Sequence, residues 1–270
     1  IEEAEEVGEV AVDTETTSLD PHQADLVGIS LCSKIGKACY IPVGHKSPKC
    51  LKKDSVIKKL KKILEDSSIK KIGQNIKFDF IVLYKCGIIL SSMEDTMLMS
   101  YVLDAGKNRH NMDTLSEIHL GHKTISFKDM VGTGKKEINF SEVELDKAKD
   151  YAAEDADVTL RLYKKFVKNL KSEKMINIYE IFEKPLIKIL AFMEIEGVEI
   201  DSKFLKSLSS KFEKKIQKLE KEVFKISKKE FNIGSPKQLG EIIYNDLKIA
   251  GLKKTKKGSF ATSASVLEDL

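Results

Sequence analysis

The 270-residue sequence lacks the marks of a membrane or secreted protein. No apolar run approaches the roughly 18 residues that a transmembrane helix needs. The first six residues are mostly acidic, whereas a secretory signal begins with basic residues and continues with apolar ones. Four cysteines are present, and no two of them form a CxxC pair. We therefore expect reduced thiols, no membrane association and a cytoplasmic location.

The sequence also lacks an initiator methionine, and it enters a predicted core strand almost at once. We interpret it as a fragment or domain of a longer chain. Its length indicates one or two domains, with enough mass for a sizeable core.

A complete phosphate-binding loop is missing too. The segment Gly132-Thr133-Gly134-Lys135-Lys136 contains the glycine and lysine of such a loop. The Walker pattern, however, requires a glycine five positions before Gly134, where Asp129 stands. We interpret the segment as a basic loop.

Charge is distributed unevenly along the chain, although the net charge is only +4. Residues 1–173 contain 27 basic and 28 acidic residues, whereas residues 174–270 contain 19 lysines, no arginine and 14 acidic residues. A basic second part predicts contact with a polyanion. A solvated helical face would explain the lysines equally well.

The periodicity of apolar residues predicts an α/β domain followed by helices. Three strands are expected in residues 8–43, and their short connections make them antiparallel neighbours. A helix around 55–65 and a strand at 70–74 follow, and Asn75 can cap the next helix. From there to Lys171 the pattern is mostly helical, which indicates a mixed sheet with flanking helices.

Two carboxylates end the first strand. Asp13 and Glu15 are two residues apart, so they project side by side from one face of the strand. Adjacent like charges are costly unless a positive group lies between them, and a divalent cation suits that place. The triplet is common by chance, so the prediction depends on partners elsewhere in the chain.

Further candidates lie on predicted helices. Asp79 comes after Gly73-Gln74-Asn75, near the start of a helix. Tyr151 and Asp155 are four residues apart and therefore share one helix face. Their spacing is also common by chance when it is taken alone.

The order of these candidates resembles the DEDD exonuclease superfamily. Asp150 stands where another branch of that superfamily has histidine, so the resemblance is to the tyrosine branch. Four segments resemble the 3′-5′ exonuclease (proofreading) domain of the bacterial family A DNA polymerases: 95–98, 109–115, 122–127 and 151–159. Residues 174–270 resemble the start of the polymerase domain of the same family.

The resemblance implies a fold and two domains. Residues 1–172 would form a ribonuclease H-like α/β domain, with a mixed five-stranded sheet flanked by helices. Residues 173–270 would form a connecting helix and an all-α partial thumb, truncated before the palm and fingers. The chain would thus be unable to polymerise DNA alone. Its parent would be a DNA-directed DNA polymerase associated with the bacterial nucleoid.

The resemblance also implies a nuclease that uses two divalent ions, Mg²⁺ by preference, with Mn²⁺ or Zn²⁺ as alternatives. Asp13 would bridge the two ions. Glu15 and Asp155 would hold the ion that activates water, and Asp79 would hold the second ion through water. Tyr151 would orient the nucleophile by a hydrogen bond, because an ordinary tyrosine pKa of about 10 makes it a poor base at neutral pH.

Three other acidic residues compete for ligand roles. Asp95 precedes a helical run and is more typical of a helix N-cap. Asp157 lies on another side of the helix from Asp155, where solvation or capping is expected. Asp20 precedes a proline and indicates a turn.

Contacts with DNA are implied at the 3′ end and along the duplex. Leu19 would wedge among the terminal bases and Phe127 would stack on one of them, although ordinary core packing is the alternative for both. Four residues would approach the strand or its phosphates: Thr16, Gln74, Asn75 and Arg109. A basic loop in the thumb, solvated in the alternative interpretation, would follow the duplex phosphates through Lys253, Lys254, Lys256 and Lys257.

The thumb-like part also contains a long amphipathic helix, capped by Asp201 or Ser202. Its apolar residues recur every three or four positions: Phe204, Leu208, Phe212, Ile216, Leu219 and Val223. We expect an antiparallel partner for this stripe outside the present sequence.

We therefore predict a Mg²⁺-dependent 3′-5′ exodeoxyribonuclease that acts as a monomer and releases 5′-dNMPs from single-stranded or mispaired primer ends. A mispaired end costs less to unpair, so selectivity would come from melting. One alternative is a ribonuclease D-like 3′-5′ RNA exonuclease, against which the thumb-like part argues. The other is a non-catalytic DNA-binding module.

Overall fold

A five-stranded sheet lies at the centre of the first part of the chain. The computed structural model describes residues 1–251 and 260–268. Numbered along the chain, the strands are β1 Glu9–Thr16, β2 Leu26–Lys34, β3 Lys37–Pro42, β4 Lys70–Gly73 and β5 Met93–Asp95. Their order across the sheet is β3-β2-β1-β4-β5. β2 is antiparallel to β1 and β3, whereas β4 is parallel to β1 and β5, which confirms the predicted mixed sheet.

Helices cover both faces of this sheet. In chain order they are α1 Glu2–Val7, α2 Lys53–Glu65, α3 Ile76–Lys85, α4 Thr96–Asp104, α5 Met112–Leu120, α6 Phe127–Val131, α7 Leu145–Ser172, α8 Ile176–Ile178 and α9 Lys184–Glu196. Short 3₁₀ turns occur at Gly134–Lys136 and Phe140–Glu142, and a π-helical turn occurs at Tyr179–Glu183.

Alternation along β1 divides its side chains between the two faces of the sheet. Val10 and Val12 pack with α2, α3 and α9, whereas Ala11 packs in the cluster that contains α5 and α7. Because both faces are covered, the strand is a continuous apolar run. At its end, Asp13 and Glu15 continue the α7 face, and Thr14 continues the α3 face.

The start of α3 differs from the prediction. Asn75 precedes the helix, but its backbone is left-handed (φ 61°), and its side chain caps nothing in the described part of the chain. The Asp95 carboxylate instead accepts the N–H groups of Asn75 at 3.1 Å and Ile76 at 3.0 Å. The predicted Asn75 cap is therefore wrong, because the sheet brings a buried carboxylate from β5 to this helix end.

The chain continues to pack on the first unit after α7. The first compact unit extends from Ile1 to Gly197. Ile187 and Ala191 of α9 are buried in the core of that unit. The division after residue 172 stays a prediction.

The second compact unit, Val198–Leu270, contains α10 Ser202–Ser227, α11 Pro236–Gly240, a π-helical turn at Glu241–Asp246 and α12 Ala264–Glu268. Asp201 caps α10 by accepting the Phe204 N–H at 2.8 Å, which confirms the predicted cap. None of the residues of α10 is buried. In its apolar stripe Phe204, Phe212, Ile216 and Leu219 are exposed, whereas Leu208 and Val223 are half-buried. The predicted duplex contacts Lys253, Lys254, Lys256 and Lys257 lie outside the described residues.

No helix within residues 1–251 and 260–268 combines the length and the apolar character that crossing a membrane requires.

Candidate active site

One cleft in the first unit receives all the predicted catalytic side chains. It is a cavity of about 740 Å³ lined by, among others, Asp13, Glu15, Asp79, Tyr151 and Asp155. β1 and the turn after it form one wall, the start of α3 forms a second, and the segment from α6 to Phe140 forms a third. The topology therefore brings together acids that are far apart in sequence.

Three of the carboxylates form a tight cluster. Asp13 and Glu15 project from the same face of β1, and Asp155 reaches them from α7, which packs on that face. One oxygen from each carboxylate can be chosen such that all three lie within 4.8 Å of one another. Glu15 is 6% exposed and Asp155 is 4% exposed, so the cluster lies at the bottom of the cleft.

Asp79 enters the cleft from the other side of β1. Its Oδ1 accepts two hydrogen bonds from Thr14, one from the backbone N–H at 2.9 Å and one from the hydroxyl at 2.6 Å. Thr14 alternates to the α3 face, which explains why it meets the first turn of α3. The structure thus places Asp79 in the cleft but outside the three-carboxylate cluster.

The four acids are hard to ionise together. Burial raises the pKa of Asp13 to about 6. Burial also raises the pKa of Glu15, Asp79 and Asp155 well above their ordinary values, and the nearby Asp13 charge adds to each shift. Such repulsion in a buried place is relieved either by protonation or by a bound cation.

The cluster fits a metal ion. Glu15 Oε1 is buried, and it has no hydrogen-bond partner among the residues that the structure describes. Buried polar atoms are nearly always satisfied, so an oxygen without a partner in a cluster of three carboxylates marks a place for a ligand. Hard divalent cations prefer oxygen ligands of this kind. Asp13, Glu15 and Asp155 could therefore bind a metal ion.

Tyr151 lies in an aromatic wall beside the cluster. Its ring centroid is 6.1 Å from that of Phe127 and 5.9 Å from that of Phe140. Burial raises the pKa of Tyr151, and the Asp155 and Glu15 charges raise it further. The hydroxyl is thus protonated at neutral pH and can donate a hydrogen bond, whereas it is a poor base.

Most of the residues predicted to contact the strand line the same cleft: Thr16, Leu19, Gln74, Asn75 and Phe127. Leu19 is 89% exposed and Phe127 is 41% exposed, so ordinary core packing does not account for either. The Thr16 hydroxyl donates to the Ser18 carbonyl at 2.9 Å, inside the turn after β1.

Gln74 and Arg109 are less available to a substrate than the other predicted strand contacts. The Gln74 side chain donates to the His110 carbonyl at 2.7 Å and accepts from the Thr96 hydroxyl at 2.5 Å. Its amide is therefore occupied by the protein. Arg109 is exposed and is not part of the cleft lining, but it precedes His110 and so lies next to this contact.

The competing acids have structural roles. Asp95 caps α4 by accepting the N–H groups of Met97 at 2.8 Å and Leu98 at 3.3 Å, which confirms the N-cap prediction. Asp157 accepts the Gly36 N–H at 2.6 Å and pairs with Arg161, so it joins the β2–β3 turn to α7. Asp20 accepts the His22 N–H at 2.9 Å in the predicted turn.

Several cleft residues were not predicted from the sequence. Thr14 stands between the two strand acids, and this position is the only signal that could have indicated its contact with Asp79. Asn139 donates its side-chain N–H to the Thr17 carbonyl, 122 positions earlier, at 2.9 Å. Phe140 stacks on Phe127 with centroids 6.0 Å apart. Asn139 caps the 3₁₀ turn that begins at Phe140, and the place of this turn depends on the tertiary fold.

Comparisons with known proteins point to one family. A model described as 3′-5′ exonuclease matches residues 1–171, and a model described as DNA polymerase family A matches residues 202–270. The chain is 43% identical to a DNA polymerase I of Rhizobium leguminosarum, covering 100% of this chain and 28% of the relative. It is 40% identical to a DNA polymerase I of Pseudomonas aeruginosa, covering 100% and 30%, respectively. The chain thus spans about three tenths of the length of these curated relatives.

Solved structures share the fold. The POL domain of Pol1 from M. smegmatis, in complex with DNA primer-template and dNTP, superposes with a TM-score of 0.74 at 23% identity, covering 96% of this chain and 41% of that one. Brucella melitensis NrnC with bound Mg²⁺ gives a TM-score of 0.56 at 24% identity, covering 74% and 92%. These similarities confirm the ribonuclease H-like architecture with a helical part after it.

The family resemblance predicted from the motifs is confirmed by these comparisons. Because the 3′-5′ exonuclease model matches residues 1–171, more than half of the sequence, the chain belongs to the 3′-5′ exonuclease family.

Proposed function

We propose that this chain is the proofreading part of a DNA polymerase I. Its first domain, residues 1–172, would hydrolyse the terminal phosphodiester of a DNA 3′ end and release a 5′-dNMP. The convergence of Asp13, Glu15 and Asp155 into one buried cluster supports this proposal, because the cluster lies in a chain of the 3′-5′ exonuclease family.

The carboxylates would hold two divalent ions, Mg²⁺ by preference, with Mn²⁺ or Zn²⁺ as alternatives. Asp13, Glu15 and Asp155 would hold one, with Asp13 shared, and Asp79 would contribute to the second. Bound there, such ions would lower the pKa of the attacking water and neutralise charge that develops on the phosphodiester.

The remaining cleft residues would orient the substrate. Tyr151 stays protonated, so its hydroxyl would donate a hydrogen bond that orients the attacking water. Leu19 would wedge between the last bases, and Phe127 would stack on one of them. Asn75 would face the strand. Gln74 would shape the wall through its bond to His110, and Arg109 would approach a phosphate of the strand.

DNA would be bound in two ways. A single-stranded 3′ end would enter the cleft, where mispaired ends arrive more often because they melt at lower cost. Duplex primer-template would contact the partial thumb, residues 173–270, through its lysine loop. The parent protein would polymerise DNA, and the chain would act as a monomer in the bacterial cytoplasm, close to the nucleoid.

Digestion of a 3′-labelled single-stranded DNA by the purified chain tests this proposal. We expect Mg²⁺-dependent release of mononucleotides, abolished by EDTA and by Asp155→Asn. Asp157→Asn is the matched control, because it neutralises an acid on the same helix that is bound to Gly36 and Arg161 instead of lying in the cluster. It should retain wild-type activity.

Two outcomes would contradict the proposal. A folded wild-type chain that is inert with both Mg²⁺ and Mn²⁺ would indicate a DNA-binding module without catalysis. Faster degradation of a 3′-labelled RNA than of the DNA of the same sequence would indicate the ribonuclease D-like alternative.

A further inference from the structure

A buried tyrosine outside the cleft is bonded to the sheet beside it. Tyr179 lies in the π-helical turn before α9 and is 0% exposed. Its hydroxyl accepts the backbone N–H of Asp95 at 2.9 Å and donates to Glu94 Oε2 at 3.0 Å. Both partners belong to β5, the three-residue edge strand. One side chain therefore fixes the end of the shortest strand in the sheet.

Both carboxylate oxygens of Glu94, the acceptor of the Tyr179 hydroxyl, have hydrogen-bond partners. Glu94 is 4% exposed, and its other oxygen accepts the Lys184 ammonium at 2.6 Å. Lys184 also donates to Glu180 at 2.9 Å. The Asp95 N–H can only donate, so the Tyr179 hydroxyl accepts from it and gives its own proton to Glu94.

Asp95 extends the contact to the cleft. Its carboxylate is 1% exposed and accepts four backbone N–H groups, two at the start of α3 and two at the start of α4. The two α3 donors are Asn75 and Ile76. Asn75 and the preceding Gln74 line the cleft, so the orientation of one carboxylate determines where this wall lies.

The wall needs such support. Asn75 has φ 61°, a left-handed conformation that side chains disfavour unless the surrounding bonds hold it. The Thr96 hydroxyl adds contacts to the Gly73 carbonyl at 3.0 Å and to the Gln74 side chain at 2.5 Å. Asp95 and Thr96 thus hold both sides of the Gln74–Asn75 turn.

Tyr179 lies in a segment that neither family model matches, because the matched ranges are 1–171 and 202–270. We propose that Tyr179 is a positioning residue for the exonuclease cleft. Its hydroxyl fixes the end of β5, and through Asp95 it holds the Gln74–Asn75 wall against which the 3′ strand lies. That a DNA 3′ strand lies against this wall rests on the proposed function. The positioning of Gln74 and Asn75 by Tyr179 does not.

Tyr179→Phe tests the proposal, because it removes the hydroxyl and keeps the ring. Tyr163→Phe is the matched control: Tyr163 is 4% exposed, and among the described residues its hydroxyl accepts from Lys70 Nζ at 3.5 Å and has no hydrogen bond to Glu94 or Asp95. Amide hydrogen exchange on the metal-free, DNA-free chain is the first readout. We expect Tyr179→Phe to speed exchange at Asn75 and Ile76 by about tenfold, with β1 and β2 unchanged, and Tyr163→Phe to leave both amides unchanged.

Kinetics on single-stranded DNA are the second readout. We expect Tyr179→Phe to raise KM about fivefold and to leave kcat within about twofold of wild type. In an Asn75→Ala background the same change should have a much smaller effect on KM, because coupled residues are not additive. A wild-type chain without nuclease activity would overturn the proposed function, yet the exchange result would still decide whether Tyr179 holds the wall.

Two results would overturn the role of Tyr179. Unchanged exchange at Asn75 and Ile76 would show that the hydroxyl does not act on the wall. Faster exchange spread evenly over the sheet would show that it only contributes to overall stability.

Discussion

Two aspartates in the first unit, the half-buried Asp13 and the buried Asp95, resemble each other in pKa and differ in surroundings. Burial raises the pKa of Asp13 and of Asp95 to about 6 in both cases. Asp95 accepts four backbone N–H groups, so the protein itself satisfies its oxygens. Asp13 faces Glu15 and Asp155 instead, and in the part of the chain that the structure describes Glu15 Oε1 has no partner.

The difference distinguishes an acid that the protein itself satisfies from one that could bind a metal ion. A carboxylate surrounded by donors stabilises the fold by itself. A carboxylate surrounded by other carboxylates destabilises the fold until a cation or a proton arrives. A raised pKa alone does not distinguish these two cases. The hydrogen-bond partners of the carboxylate distinguish them.

Replacing each aspartate by asparagine should therefore affect a different property, Asp13→Asn the activity and Asp95→Asn the stability. These are the largest effects that we expect. Asp13→Asn should reduce nuclease activity about 10³-fold or more, because a cluster that acts as a unit fails when one member is lost. In EDTA at neutral pH it should unfold no more easily than wild type, since it removes a buried repulsion. Asp95→Asn should lower the free energy of unfolding by about 2–3 kcal/mol, because an amide N–H would replace an oxygen that accepts a hydrogen bond.

Denaturant unfolding in EDTA and digestion of labelled DNA measure the two effects. If Asp13→Asn destabilised the metal-free protein as strongly as Asp95→Asn, the cluster would be a structural feature, and the contrast between the two acids would be lost.

The pH dependence of stability tests the raised pKa of Asp13 itself. The pKa of Asp13 is raised from 3.8 to about 6, so the folded metal-free protein binds more protons than the unfolded chain in this window. The contribution of this group is then fully present below about pH 4 and is lost as pH rises through about 6. We expect the stability of Asp13→Asn relative to wild type to increase between pH 4 and pH 7 by on the order of 1–3 kcal/mol.

Chemical denaturation at several pH values in EDTA checks this expectation. Saturating Mg²⁺ at pH 7 should stabilise wild type and leave Asp13→Asn unchanged, because bound ligand stabilises only the state that holds it. A constant difference between the two proteins from pH 4 to pH 7 would contradict the raised pKa.

In its surroundings Asp79 is intermediate between Asp13 and Asp95. Thr14 donates two hydrogen bonds to its Oδ1, and the residue also lines the cleft. Thr14→Val removes the hydroxyl bond and keeps the backbone bond. We expect a roughly tenfold loss of kcat with about 1 kcal/mol lost from stability. Thr124→Val is a matched control, because its hydroxyl donates to Asp113 at 2.7 Å outside the cleft lining. Single-turnover digestion distinguishes the two variants, and equal losses of kcat in both would remove the special role of Thr14.

Regular periodicity made much of the fold predictable. The three antiparallel strands and the long helices follow from apolar spacing, because burial of a strand or helix face imposes that spacing. β5 has only three residues, too few to show a period, so its place could not be read from the sequence. The Asn75 cap was wrong for a related reason: the sequence indicates which residues can cap but not which distant carboxylate reaches the helix end.

The site residues that lie close together in sequence were predictable, whereas those brought together only by folding were not. Asp13 with Glu15, and Tyr151 with Asp155, share a face because their spacing matches the strand and helix periods. Asp79 depended on the family resemblance, since a carboxylate in a first helical turn is otherwise unremarkable. Asn139, Phe140 and Tyr179 could not be predicted, because their contacts arise from chain segments that meet only after folding.

The smallest expected effect concerns the rim of the cleft. Leu19 is 89% exposed, so Leu19→Ala should change the free energy of unfolding by less than about 0.5 kcal/mol. If Leu19 wedges into the terminal bases, the same change should raise KM for single-stranded DNA about threefold, because it removes an apolar contact with a base. Leu51→Ala, at a 55% exposed leucine that is not part of the cleft lining, should change neither quantity. A KM shift of equal size in both variants would show a general surface effect. A shift confined to Leu19 would show that an exposed side chain at the rim of the cleft contacts the substrate.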